Sequence, residues 1–192
     1  MQRRDALART IKIGILGALA FLLMFTLEIY IPPFANFLKY DPGDVPAAIA
    51  TFTLGPAAGI AVEAIKCVLF YLSGKSTAGL IGVLANFLAG AAFVSGIALV
   101  NGQLKRMEKR SWAWDLVAAA GGTLFMTLLL IPLNALLVYP VWGMQGAAAW
   151  TAALTISTPF NLFKGFLSSA ISLVLYRRLA SFLVGKPAGS VA

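Results

Sequence analysis

Six apolar runs alternate with short polar breaks along the chain: Ile13 to Ile31, Val45 to Leu54, Ala57 to Leu72, Ala78 to Val100, Trp112 to Val138 and Pro159 to Val184. Several reach the roughly 20 residues that a helix needs to cross a hydrocarbon layer of about 30 Å. The count turns on "LGPAAG", Leu54 to Gly59. There Gly55-Pro56 either kinks one long helix or turns between two, because proline lacks a backbone donor and clashes with the preceding turn. The cations decide between these options. Six spans place Arg3, Arg4, Arg9, Lys12, Lys105, Arg106, Lys109, Arg110, Arg177, Arg178 and Lys186 on one side, and only Lys39 and Lys75 on the other. Five spans would put "KRMEKR" outside, against the enrichment of Lys and Arg in cytoplasmic loops. The pattern therefore predicts an all-α integral membrane bundle of six transmembrane helices, with both termini cytoplasmic.

The expected helices cover about 8–31, 44–54, 57–73, 78–101, 112–138 and 159–183, within one integral membrane domain over 1–192. Helix two is too short to span: from Asp41 to Leu54 it measures roughly 21 Å at 1.5 Å per residue. The loop before it, about 30–43, is rich in proline and aromatic residues ("YIPPFANFLKYDPGD"). A long loop of this kind on the outer side can fold over a cavity as a lid.

Composition supports a bilayer setting. Of 192 residues, 60% are apolar and 11% charged, far from the roughly 25% charged residues of soluble domains. The net charge of +8 does not point to nucleic acid, since the cations gather at the ends of apolar runs without interleaved aromatic platforms. An N-terminal signal peptide is the alternative for "MQRRDALARTIK", but the apolar run passes through the cleavage-like "ALA" and reaches spanning length. Cys67 has no second thiol to pair with, and the chain contains no histidine, which leaves zinc and haem sites without their usual ligands.

Polar groups at membrane depth are the informative exceptions. Thr158-Pro159 reads as an N-cap followed by proline at the first helical position. Asn161 and Lys164, three apart, then share a face of helix six, and Asn134 in "PLNALLVYP" reaches a comparable depth on helix five. A lysine at the centre of a spanning helix costs on the order of 3 kcal/mol, so a group of this kind marks a site by default. Snorkelling of Lys164 with the asparagines as interhelical glue is the competing reading. It leaves the matched depth of amides and ammonium unexplained.

Other features carry less. Glu63 and Lys66 in "EAIK" suit a local ion pair or a site equally. Asn86 lies among small residues that also suit helix packing. Asp41 and Asp44 in "DPGD" read as caps of helix two that could also close the lid over a solute. Trp112, Trp114, Tyr139 and Trp142 fit interfacial belts. "GKST", Gly74 to Thr77, imitates the end of a phosphate-binding loop, but Leu69 stands where glycine is required. No acid-base or nucleophilic machinery is visible, so an enzyme is not expected. Gly14 and Ala18 on helix one form a small-x-x-x-small face that suits either a partner helix or internal packing.

The blocks "FLKYDPGDVPAAIATFTLGPAAGIAVEAIK", "LANFLAG", Leu133-Asn134 and "PFNLFKG" resemble the riboflavin-specific substrate-binding (S) component of energy-coupling factor (ECF) transporters, from about Gly14 to Arg178. The resemblance implies a six-helix protein of the cell membrane that captures a vitamin from outside. Its implied partners are a transmembrane coupling subunit and two cytoplasmic ATPase subunits, which hydrolyse the ATP. It implies Asn134, Asn161 and Lys164 as substrate-binding residues, with the segment around Tyr40 to Asp44 as part of the lid; Tyr40, Asp44 and Asn86 join them as candidate substrate-binding residues. Gly14 and Ala18 fall on the docking motif, with glycine where alanine or serine is usual. Riboflavin, or its phosphate FMN, is then a transported ligand and not a cofactor; no metal and no nucleic acid are expected. An S component for another vitamin, and a stand-alone carrier or scaffold without ATPase partners, are the alternatives.

Overall fold

The computed structural model describes residues 2–32, 34, 38–106 and 111–184. Lys109, Arg110 and Lys186, counted above for topology, lie outside the described residues, as does part of the expected lid. Helix α1 is Gln2–Leu27, and a two-stranded antiparallel hairpin follows, β1 (Ile29–Tyr30) paired with β2 (Lys39–Tyr40). Next come α2 (Asp44–Leu54), α3 (Pro56–Leu72) and α4 (Gly79–Arg106). Helix α5 (Trp112–Leu133) continues through a π turn, Asn134–Val138, into the single turn α6 (Tyr139–Val141). Helix α7 (Gly146–Ala152) likewise passes through a π turn, Ala153–Ser157, into α8 (Thr158–Val184). Six helical rods result, and four of them are long and apolar enough to cross a membrane: Arg3–Leu27, Gly79–Leu104, Trp112–Val141 and Gly146–Leu179.

Gly55 separates α2 from α3. Its φ of 96° lies where a side chain would be strained, and its N–H bonds the carbonyls of Ala50 and Thr51, closing α2. Pro56 then opens α3 at the position where a missing N–H costs nothing. Helix α2, only 11 residues long, is buried along Asp44 to Phe52 and packs against α1, α3, α4 and α8. It is an internal pillar of about 16 Å, roofed by the hairpin segment.

Small residues let the other rods approach closely. Helices α4 and α5 share the most extensive contact; a Cβ at Gly96 would lie 2.7 Å from that of Phe125 and 2.8 Å from the Cα of Gly122. Close backbone approach through glycine is how helices associate where lipid removes the hydrophobic driving force. Helix α8 meets α5 at Gly165, facing Thr123, and through the Thr123 to Ser169 hydroxyl contact of 3.2 Å. Phe52 stacks on Tyr176 at 5.1 Å between ring centres.

Several expectations change. Helix one ends at Leu27 instead of Ile31, because Ile29-Tyr30 pairs with Lys39-Tyr40. Thr158-Pro159 does not begin helix six, for the chain is already helical from Gly146. Prolines 140 and 159 both follow π turns, and the residues four before them, Leu136 and Thr155, lie inside those turns. A π turn moves the carbonyl that the proline ring would otherwise strike, so the helix continues. Thr158 accordingly donates to the Ala153 carbonyl at 2.9 Å and caps nothing. Tyr139 is not in an interfacial belt: it is buried, with its hydroxyl 2.7 Å from Ser157, tying the two π turns together.

A lidded cavity and the charge cluster beneath it

A cavity of about 150 Å³ opens among α1, α3, α4, α5 and α8 at the end of the bundle that carries the hairpin. Its apolar lining includes Met24, Phe70, Val83, Leu130 and Phe160. Asn86, Asn134, Asn161 and Lys164 supply polar groups, with Glu28, Lys39, Ser76 and Thr77 also in the wall. Apolar walls with a few placed polar groups are the usual build of a small-molecule site. Asn134 and Asn161 have no hydrogen-bond partner among the described residues, so their amides are free to serve a solute with both donors and an acceptor.

Lys164 does not snorkel. It is 4% exposed, and its ammonium lies 3.1 Å from Asp41 Oδ2 and 3.1 Å from Asp44 Oδ2. It donates a hydrogen bond to Asp41 and is charge-paired with Asp44, and as a three-hydrogen donor it keeps capacity for a solute in the cavity that it lines. Asp44 Oδ1 in turn accepts from Lys66 Nζ at 2.5 Å, and Lys66 is 2.7 Å from Glu63 Oε2. Asp41 receives Asn86 Nδ2 at 3.2 Å and the Gly43 N–H at 3.0 Å. Three carboxylates and two ammoniums thus form one buried chain beneath the cavity. Burial of that kind is tolerated only when charges are paired and hydrogen-bonded. Neither Glu63 oxygen makes a hydrogen bond of good geometry, so the Glu63 to Lys66 contact is a charge pair without directional support.

Of the six candidate substrate-binding residues, Asn86, Asn134, Asn161 and Lys164 come together on the cavity wall. Tyr40 and Asp44 do not reach it. Tyr40 is buried on β2 and packs edge-on against Phe163 at 6.3 Å, and Asp44 stands behind Lys164. Nor does either aspartate cap α2: Asp41 closes a turn onto Gly43, and Asp44 opens the helix with its carboxylate turned to the lysines. The opposite charges of Lys66 and Lys164 decide that orientation. Asp41, Glu63 and Lys66 are parts of the site that sequence reasoning left undecided. The available signal was a surplus of charged residues in spans that should exclude them, on segments whose contact no spacing rule reveals. Among the described residues, no set of three or more acidic or cysteine side chains is arranged to hold a metal ion.

The hairpin closes over this end of the bundle. Phe34 packs on Phe160 and Phe163 at 5.4 and 5.5 Å. Lys39 lies 2.9 Å from Glu28 Oε2, donates to Thr77 at 3.3 Å, and sits over the Tyr30 ring at 5.1 Å. One side chain therefore joins the end of α1, β2 and the α3–α4 turn. Burial pulls the Lys39 ammonium toward lower pKa, but its hydrogen bond to Glu28, with the charge of Glu28 and a smaller contribution from Tyr30, more than restores it. The net shift is upward from 10.5. At the same end, Lys75 donates to the Phe25 carbonyl and lies over the Phe25 ring at 4.6 Å.

On α1, Leu16, Gly17 and Ala20 face inward, with Gly17 against Ile65, whereas Gly14 and Ala18 are exposed. A Cβ on Gly14 would meet nothing within 4 Å. Internal packing therefore does not account for the Gly14 and Ala18 face.

A helical membrane bundle holding a lidded cavity with amides and an ammonium on its wall defines a solute-capturing membrane protein. The chain belongs to the family described as "ECF transporter, substrate-specific component", which it matches over residues 8–176. Its relatives include the riboflavin transporter RibU of Staphylococcus aureus (strain TCH60), 39% identical over 181 residues that cover 91% of this chain and 92% of the relative. The riboflavin transporter FmnP of Bacillus subtilis (strain 168) is 33% identical over 183 residues, covering 91% and 93%. Among solved structures, the S component of a bacterial ECF transporter aligns with a TM-score of 0.77 at 37% identity, over 95% of this chain and 99% of that one. ThiT from Listeria monocytogenes shares the fold, with a TM-score of 0.64 at 18% identity over 95% and 100%.

Proposed function

We propose that this protein is the riboflavin-binding S component of an ECF-type importer of the cell membrane, with its termini cytoplasmic and its lidded cavity facing outward. The whole chain, 1–192, acts as one integral domain. The observation that carries the reading is the wall formed by Asn134, Asn161 and Lys164, whose unused donors and acceptors face one apolar cavity. The flavin ring suits the apolar slot, its pyrimidine edge presents donors and acceptors that an amide matches, and its sugar-alcohol tail needs several polar partners. The names of the relatives point to the same vitamin. Tyr40 and Asp44 support the lid and Lys164 from behind, and Asn86, on the cavity wall, anchors Asp41 beneath it.

Uncharged riboflavin fits better than FMN, because Lys39, Lys66 and Lys164 are each already paired with carboxylates. At about 150 Å³ the cavity is smaller than the usual range of roughly 300–1,000 Å³ for such sites, so it widens to hold the vitamin. ATP hydrolysis belongs to two cytoplasmic ATPase subunits, linked through a transmembrane coupling subunit that docks on Gly14 and Ala18. The protein itself is neither an enzyme nor a cofactor carrier.

Purified protein should be yellow and release a pigment with the mass of riboflavin. Lys164→Ala and Asn161→Asp should weaken riboflavin binding in isothermal titration by more than any loss of folded protein; unchanged affinity in both would refute the site. Bulky replacement of Gly14 or Ala18 should abolish capture of the coupling subunit and leave riboflavin affinity intact.

A further inference from the structure

We infer that Lys66, seated on α3 away from the cavity, is a positioning residue for solute capture: held by Glu63, it acts through Asp44 to fix where the Lys164 ammonium sits on the cavity wall. The inference rests on Lys164 being a solute contact. Lys66 does not line the cavity. It is fully buried, 2.5 Å from Asp44 Oδ1 and 2.7 Å from Glu63 Oε2, and the other oxygen of Asp44 lies 3.1 Å from Lys164. One aspartate is thus divided between two ammoniums, one facing the solute and one sealed in the core.

The division matters because a carboxylate can accept on both oxygens, and an unpaired buried charge attracts whatever cation is near. With Lys66 present, only Oδ2 of Asp44 turns to Lys164, whose ammonium is also bound by Asp41 at 3.1 Å. Without Lys66, both Asp44 oxygens turn to Lys164, which then faces two carboxylates alone. The ammonium is drawn away from the cavity, and its reach to the solute is lost. The stem of Lys66 is also confined: a Cβ at Gly43 would lie 2.8 Å from Lys66 Cδ and 2.8 Å from Asp41 Oδ1. Glycine at the root of the lid leaves room for this lysine to reach Asp44.

The test is riboflavin titration of full-length protein in detergent, by quenching of flavin fluorescence, with folded fraction checked by size exclusion. Lys66→Met combined with Glu63→Gln removes both members of the sealed pair. It should weaken binding about tenfold or more, while the same two changes in a Lys164→Met background should weaken it no further. A role in general packing would instead lower affinity by the same factor in both backgrounds, which would overturn the inference, as would parental affinity in the pair variant. Parental affinity in Lys164→Met alone would overturn the site reading itself. If the pair variant does not fold, Lys66→Arg, which keeps the charge and displaces it, serves instead. It should weaken binding at least about threefold in the parent and not at all with Lys164→Met. Equal losses in both backgrounds, or none, would overturn the inference.

Discussion

Asp41→Asn alters one atom and removes one charge at a position without room to adjust. Oδ1 accepts from the Gly43 N–H at 3.0 Å, and Oδ2 accepts from Asn86 at 3.2 Å and Lys164 at 3.1 Å. All three neighbours are donors, and an amide brings a donor of its own. If the new NH2 takes the place of Oδ1, the Gly43 N–H is orphaned; if it takes that of Oδ2, both Asn86 and the Lys164 ammonium lose an acceptor. The first arrangement is less unfavourable. It costs about 1–3 kcal/mol for the buried donor, and about 1 kcal/mol more as the bond to Lys164 changes from charge-assisted to neutral. Relief of repulsion among the three carboxylates offsets part of this, leaving a destabilisation of about 2 kcal/mol, or roughly thirtyfold in the folding equilibrium. Reversible SDS unfolding in mixed micelles, followed by tryptophan fluorescence, measures it directly. A variant within about 0.5 kcal/mol of the parent, the range of neutral surface changes, would refute the assignment of all three bonds to Asp41. Because Asp41 also roots the lid, stopped-flow measurements should show faster riboflavin release.

Other outcomes follow from single contacts. Lys39→Gln should speed both entry and release of riboflavin with little change in unfolding, since the ammonium joins the end of α1, β2 and the α3–α4 turn at the rim of the bundle and not in its core. Its upward pKa means that any stability from the Glu28 pair is fully present below 10.5 and is lost only as pH rises through the folded value; titration of the lysine should therefore leave entry rates flat between about pH 6 and 9. Gly96→Leu should collapse the yield of folded protein on size exclusion, because overpacking costs about 1–3 kcal/mol even where side chains can move, and here the obstacle is the backbone of Gly122. Tyr139→Phe should destabilise by about 1 kcal/mol through loss of the Ser157 bond between the π turns, read by the same SDS titration.

Periodicity, helix length and cation placement depend on residues close together in the chain, and they determined much from sequence alone: a helical membrane bundle, the Gly55-Pro56 break and a short second helix. The polar cost of Asn134, Asn161 and Lys164 also marked the cavity, because a hydrocarbon setting makes every amide or ammonium conspicuous. Local rules misjudged Thr158-Pro159, since a π turn can carry a helix past proline when neighbouring helices hold it in place. Only the tertiary structure decided what Asp41, Glu63 and Lys66 do. Their partners lie 123 residues away in the Asp41 to Lys164 bond and 22 away in the Lys66 to Asp44 bond. The strength of such charges depends on mutual distance and exclusion of water, and neither exists until the neighbouring rods close around one short pillar.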